Sequence, residues 1–247
     1  MTLPTPPIPE GRARRAVILA GGLGARLRPY TVSLPKPLMP VGEFPILEII
    51  VRQLGASGFG HITLAVNHQA ELMRAYFGDG TRWGLHIDYS LETKPLGTMG
   101  PLCLVQDLPE HFLVMNGDIL SDLSYSAFLG EHARNNRLFS VSAAQREQKI
   151  DYGVLHSSEQ GRLVGFEEKP TIPYLVSMGV YALSRRVLDW IPRDHAFGFD
   201  QLVLKLLADS EPVDVRAHAG YWLDIGRPDD YQRAVDEWPT LRASLGI

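Results

Sequence analysis

Short apolar runs alternate, through the first half of the chain, with stretches whose apolar positions recur every three or four residues. The first run, Arg15-Ala16-Val17-Ile18-Leu19-Ala20, stops at Gly21-Gly22. A continuous apolar run of that length, closed by glycine, predicts a strand buried on both faces. A loop is expected from there to Pro45. Leu47, Ile50, Val51 and Leu54 then share one face of a helix over 46–55. Further strands are predicted over 62–66, 85–89, 112–115 and 139–144, and further helices over 71–77, 99–105 and 124–135. Such alternation specifies an α/β fold, a Rossmann-like, mostly parallel sheet with helices on both faces. Right-handed crossovers place the loops that follow the strands along one edge.

After residue 145 the pattern changes. Residues 154–156 and 163–167 read as a hairpin around Glu159-Gln160-Gly161, and 175–183 as a long strand. Helices are expected over 186–190, 199–208 and 229–236. Residues 1–13, rich in proline, are expected to form a flexible tail. No linker or repeat interrupts 14–247, so we expect one domain carrying a smaller β-rich lobe, divided at about residue 145.

Composition narrows the class. The 247 residues include 24 Lys and Arg against 28 Asp and Glu, a net charge of −4. That balance excludes a general nucleic-acid binder, which needs surplus cations to displace counterions from phosphates. The apolar runs fall far short of the ~20 residues needed to cross a bilayer, so no membrane partner is expected. The single cysteine, Cys103, excludes an intrachain disulfide and a cysteine-rich zinc site. It reads as an inert buried thiol in a reducing, cytoplasmic compartment.

The strongest chemical signal is Leu19-Ala20-Gly21-Gly22-Leu23-Gly24-Ala25-Arg26-Leu27, followed by Pro35-Lys36-Pro37. Glycines directly after a buried strand let several backbone N–H groups face one anion. Arg26 and Lys36 add positive charge suited to a triphosphate. A Walker A loop is excluded, because no Gly-Lys pair occurs. A dinucleotide-binding oxidoreductase is the weaker alternative, since its third fingerprint glycine would fall on Leu27. Asn116-Gly117-Asp118 and Tyr221-Trp222-Leu223-Asp224-Ile225-Gly226 each put one aspartate at the tip of an apolar strand. Two such carboxylates meeting at a triphosphate would suit Mg²⁺, which takes one or two carboxylates plus phosphate oxygens. Glu168-Lys169 offers an acid for a sugar hydroxyl and a base for a phosphate. None of the 8 His has metal-ligand spacing, and none is assigned to chemistry.

These motifs, with Pro95-Leu96-Gly97-Thr98, Tyr152-Gly153-Val154 and Glu168-Lys169-Pro170, occur in the order found in sugar-1-phosphate nucleotidylyltransferases. From about residue 15 to 236 the chain resembles that family, most closely its mannose-1-phosphate and heptose-1-phosphate guanylyltransferases. The resemblance implies NTP + sugar 1-phosphate → NDP-sugar + pyrophosphate, with Mg²⁺ as cofactor. It makes residues 14–145 the nucleotide-binding part and 146–236 the sugar-binding part. Leu19, Ala20, Gly21, Gly22, Gly24, Pro95, Gly97, Thr98, Asn116 and Gly117 would bind the nucleotide. Arg26 would stabilise the triphosphate, and Lys36 would bridge the attacking and attacked phosphates. Asp118 and Asp224 would hold the metal, with Asp118 also at the sugar phosphate. Gly153, Glu168, Lys169, Ser177 and Gly179 would bind the sugar phosphate. Many relatives add a domain of hexapeptide repeats, which the end of this chain soon after Gly226 leads us not to expect. Self-association stays open, as does a regulatory module that binds sugar nucleotides without turnover.

Glu92 bears on the base. A guanine edge presents two adjacent donors, and a carboxylate accepts both, whereas thymine or uracil suits an amide. Glu92 therefore favours GTP. Phe77-Gly78-Asp79-Gly80-Thr81-Arg82-Trp83-Gly84 points the other way, resembling thymidylyl- and cytidylyltransferases. Ser177 stands where the family commonly has Asn, which leaves room for a bulkier sugar.

Overall fold

The computed structural model describes residues 14–22, 24–67 and 70–247. The expected N-terminal tail and Leu23 of the glycine loop lie outside the described residues. The strands are β1 (Arg14–Leu19), β2 (Pro40–Val41), β3 (Phe44–Pro45), β4 (Phe59–Val66), β5 (His86–Leu91), β6 (His111–Asn116), β7 (Ile119–Ser121), β8 (Phe139–Lys149), β9 (Gly153–Ser157), β10 (Leu163–Glu168), β11 (Thr171–Ser184), β12 (Val213–His218) and β13 (Trp222–Asp224). The helices are α1 (Ile46–Ala56), α2 (Ala70–Phe77), α3 (Tyr125–Arg134), α4 (Phe199–Ala208) and α5 (Pro228–Ser244).

Seven strands form one sheet in the order β12-β8-β11-β6-β1-β4-β5. Only β11 runs against its neighbours; every other adjacent pair is parallel. Side chains alternate across each strand, and here both faces are buried. Ala16, Ile18, Leu113 and Met115 join a core with α1, α2, α3 and α5. Val17, Phe112, Val114 and Tyr181 face the other way, against α4 and the 3₁₀ turns Gly100–Leu104 and Arg185–Trp190. Burial on two faces is why these strands read as continuous apolar runs. The ends of β1, β4, β5 and β6 therefore share one edge, where the chain leaves at Ala20, Asn67, Glu92 and Gly117.

Several expectations are corrected. The stretch expected as a loop up to Pro45 holds three 3₁₀ turns (Ala25–Leu27, Tyr30–Val32, Lys36–Leu38) and the β2–β3 pair. The expected helices over 99–105 and 186–190 are 3₁₀ turns, the first opened by Gly100-Pro101. β8 and β11 run longer than expected, because each extends the other's antiparallel ladder beyond the core, from Thr171↔Lys149 onward. α5 continues to Ser244, burying Ala234, Trp238 and Leu241. The hairpin is present as β9–β10. β7 and β12 were not anticipated, whereas β13 is the short strand at whose tip Asp224 was expected.

Candidate active site

The edge at the strand ends encloses a cavity of about 570 Å³. Leu19, Ala20, Gly21 and Gly22 enter from β1, Asn116, Gly117 and Asp118 from β6, and Glu92, Pro95, Gly97 and Thr98 from the loop after β5. Lys36 projects into the same space from its 3₁₀ turn. Twelve sequence-nominated residues thus share one wall. Asn67, at the end of β4, was not nominated; its side-chain amide donates to the Gly21 carbonyl and holds the loop. A lone Asn after a strand carries no sequence signal strong enough to have found it.

Local chemistry shapes the wall. A Cβ added to Gly21 would lie 2.8 Å from Glu92 Oε1, so the glycine lets the carboxylate approach the loop. Gly22 has open space around it. Gly24 plays another part: it sits at φ +59°, its carbonyl accepts from Thr31 Oγ1 at 2.7 Å, and a Cβ there would strike Thr31. It shapes the turn and lines neither cavity described here. Glu92 Oε2 accepts the Leu96 N–H at 3.1 Å, curling the loop while Oε1 stays at the wall. Burial pushes the Glu92 carboxyl above its usual range, and the Leu96 bond pulls it back. The loop is stapled to the segment before α4: Leu96 accepts from the Phe197 amide at 2.9 Å, and the Thr98 hydroxyl accepts from the Phe199 amide at 2.8 Å.

Lys36 Nζ is ion-paired with Asp118 Oδ2, and both are withdrawn from solvent. Asp224 comes from β13, which pairs with β7 so that Asp224 opposes Ile119. Partial desolvation, and then the facing Asp118 carboxylate, push the Asp224 carboxyl upward, while Lys36 and Arg26 pull it down. Asp118 Oδ1 is buried without a hydrogen-bond partner. Two carboxylates in mutual repulsion, one with an oxygen unsatisfied, are a donor set that fits a hard divalent cation.

Arg26 and Asp224 line an adjoining cavity of about 360 Å³. Arg146, Trp222, Arg227, Asp230 and Arg233 are among its other lining residues, none of them nominated from sequence in this role. The Arg146 guanidinium lies 4.7 Å from the Trp222 ring centroid, and the Trp222 indole donates to the Met178 carbonyl at 3.0 Å. Arg146 sits on the part of β8 that sequence periodicity does not reveal. Ser177 donates to Tyr181 Oη at 3.2 Å and accepts the Gly179 amide at 3.2 Å. Gly179, at φ +72°, faces Asn116: a Cβ would lie 2.6 Å from its Nδ2. Gly153, Glu168 and Lys169 stand on the exposed hairpin, where Gly153 packs on the Phe166 ring. These three, with Ser177 and Gly179, line neither cavity.

A mostly parallel sheet whose switch-point edge carries a glycine loop, two cations and two electrostatically coupled carboxylates defines an α/β protein with its candidate chemistry gathered at the strand ends. The chain belongs to the nucleotidyl transferase family, whose profile matches residues 15–239. It is 34% identical over 244 residues to the mannose-1-phosphate guanylyltransferase of Mycobacterium tuberculosis, covering 94% of this chain and 68% of that protein. It is 31% identical to a UTP–glucose-1-phosphate uridylyltransferase of Synechocystis, covering 90% and 62%. Against the mannose-1-phosphate guanyltransferase of Yarrowia lipolytica it also spans 62% of the relative's length, at 33% identity over 88% of this chain. The structure of HddC from Yersinia pseudotuberculosis complexed with GMP-PN superposes with a TM-score of 0.70 at 25% identity, covering 91% of this chain and 99% of that one. Among the described residues, no helix is long and apolar enough to cross a membrane.

Proposed function

We propose that this chain transfers a nucleotidyl group, from GTP in preference to other NTPs, to a sugar 1-phosphate with release of pyrophosphate. The observation that carries the reading is that Asp118, ion-paired with Lys36 in the cavity of the glycine loop, lies within electrostatic reach of Asp224 from the adjoining cavity. The names of the relatives support the reaction class.

A phosphate oxygen of the sugar 1-phosphate attacks the α-phosphorus of the NTP. The new P–O bond forms as the bond to the β-phosphate bridge breaks, and pyrophosphate leaves with that electron pair. The nucleophile is already an anion, so no general base is required. The barrier is repulsion between polyanions: two unit charges 4 Å apart interact by ~4 kcal/mol at an effective dielectric near 20. Lys36, between the glycine loop and Asp118, offsets that repulsion and helps hold the in-line geometry. Backbone N–H groups of the glycine loop hold the triphosphate. Arg26, with Arg146 and Arg227 in the adjoining cavity, supplies charge for the departing pyrophosphate. Asp118 and Asp224 would hold Mg²⁺, which when bound neutralises phosphate charge. Glu92 would accept the two adjacent donors of a guanine edge. On the sugar side, Ser177, Gly179 and the Gly153, Glu168 and Lys169 hairpin would receive the sugar phosphate.

A matrix of NTPs against sugar 1-phosphates, read by pyrophosphate release with and without Mg²⁺, tests the proposal. Turnover is expected with GTP, and chelation should abolish it. Binding of sugar nucleotides with no pyrophosphate released from any pair would leave a regulatory module in place of the enzyme.

A further inference from the structure

We infer that the paired strands β4 and β5 carry a second, transition-metal site built from His61, His86 and Asp88, remote from the glycine loop. The ladder places His61 opposite His86 and Thr63 opposite Asp88. Residues two apart on a strand share a face, so His86 and Asp88 point the same way, and His61 meets them from the neighbouring strand. One ligand atom from each of the three residues lies within 4.8 Å of the others. The two imidazoles stand 4.6 Å apart between centroids, and His61 Nε2 is 2.9 Å from Asp88 Oδ2.

Two observations point to a ligand beyond that proximity. His86 Nδ1 and Asp88 Oδ1 are buried with no hydrogen-bond partner. Buried polar atoms are almost always paired, because an unpaired one forfeits its hydration. Here two such atoms of metal-binding type occur in one three-residue cluster. Arg15 accounts for the other oxygen only. Its guanidinium is anchored by the Thr63 hydroxyl at 2.8 and 3.1 Å and by the carbonyls of Gln106 and Asp107 at 2.7 and 3.1 Å. From there it reaches Asp88 Oδ2 at 3.1 Å, orienting the carboxylate while Oδ1 stays free. Orientation of a ligating carboxylate by an outer hydrogen bond is typical of metal centres.

The donor set selects the ion. Two imidazoles and one carboxylate suit Zn²⁺, Co²⁺ or Ni²⁺, whereas Mg²⁺ prefers oxygen alone. All three residues are half-buried, which leaves a coordination position for water. The neighbouring Arg15 charge weakens binding relative to a site without a cation. β5 is the edge strand of the sheet, and the cluster lies near its start. Glu92 follows its far end, roughly 13 Å from Asp88 and roughly 20 Å from His86 at about 3.3 Å per residue. A metal here would clip the edge strand to β4 without entering the cavity.

The test uses the whole chain, stripped with chelator and then titrated with Co²⁺ in excess Mg²⁺, which occupies the hard carboxylate pair. One Co²⁺ per chain, with visible d–d absorption that Zn²⁺ removes and a raised Tm in Zn²⁺, is expected. His86→Gln and His61→Gln, each checked for a native circular dichroism spectrum, should weaken binding at least about 10-fold. Asp224→Asn should leave it unchanged. Absence of stoichiometric Co²⁺ or Zn²⁺ binding by the unaltered chain overturns the site. So does undiminished binding in both folded histidine variants.

Discussion

The backbone amide of Ile225 donates to the carbonyl of Asp118 at 3.0 Å. That bond continues the β7–β13 ladder and ties the backbone of Asp118 to the residue next to Asp224, from opposite halves of the chain. If Asp118 and Asp224 act together, removing either charge should disable the site while leaving the ladder intact. Asp118→Asn and Asp224→Asn are each expected to lower kcat by about 10²-fold or more, the scale of losing one preorganised electrostatic group. Pyrophosphate release and thermal melting check this; near-normal turnover in both variants would remove the pair from the mechanism.

Glu92 makes a separable prediction. In Glu92→Gln the amide oxygen can still accept the Leu96 N–H, so the loop keeps its shape. The second acceptor for a guanine edge is lost. A hydrogen bond to a charged group contributes about 1.5–3 kcal/mol, so the ratio of kcat/KM for GTP over UTP should fall at least 10-fold. An unchanged ratio would take Glu92 out of base recognition.

Two glycines should fail differently. Gly97 sits at φ +75°, and a Cβ there would lie 2.7 Å from the Phe197 carbonyl oxygen. Gly97→Ala is expected to cost about 1–3 kcal/mol and to lower Tm. Gly22 has nothing within 4 Å of an added Cβ. Gly22→Ala should leave Tm unchanged and raise the KM for NTP, because the methyl group occupies the phosphate's approach. Equal effects on Tm would contradict the two roles.

Arg146→Ala tests the adjoining cavity. If its guanidinium over Trp222 serves the leaving group, the variant should raise the KM for pyrophosphate in the reverse reaction several-fold. Base selectivity should not move. An unaltered pyrophosphate KM would assign Arg146 to packing alone.

His132 gives the fold a pH dependence of its own. It is buried, with Nδ1 2.8 Å from Ser140 Oγ. Burial first, then His111, Arg137 and Arg186, lower its pKa from 6.5 to about 4. Between those values the unfolded chain binds a proton that the folded chain refuses. Stability from this group is therefore full above about pH 6.5 and is lost as pH falls toward 4. The full difference is on the order of 3 kcal/mol, at 1.36 kcal/mol per pKa unit. Denaturant melts of His132→Gln should show a shallower stability decline between pH 6.5 and 4; an identical slope would refute the assignment.

The chain order alone determined the class of this protein. Ala16, Val17 and Ile18 announce a strand buried on both faces, and Leu47, Ile50, Val51 and Leu54 announce α1, because local periodicity reports which surfaces must leave water. The glycine loop, Glu92 and Asp118 were legible for a related reason: each follows a strand, and parallel topology gathers strand ends on one edge. Tertiary structure decided the rest. β7 and β13 are three residues each, too short for a periodic signal, and only their pairing brings Asp224 to Asp118. Arg146 reaches Trp222 because β8 outruns the core along β11. Thr98 proved to cap α4, and three residues assigned no chemistry from spacing (His61, His86 and Asp88) met across two strands. Such contacts depend on strand register and crossover geometry, and those are set when distant segments pack, not by neighbours along the chain.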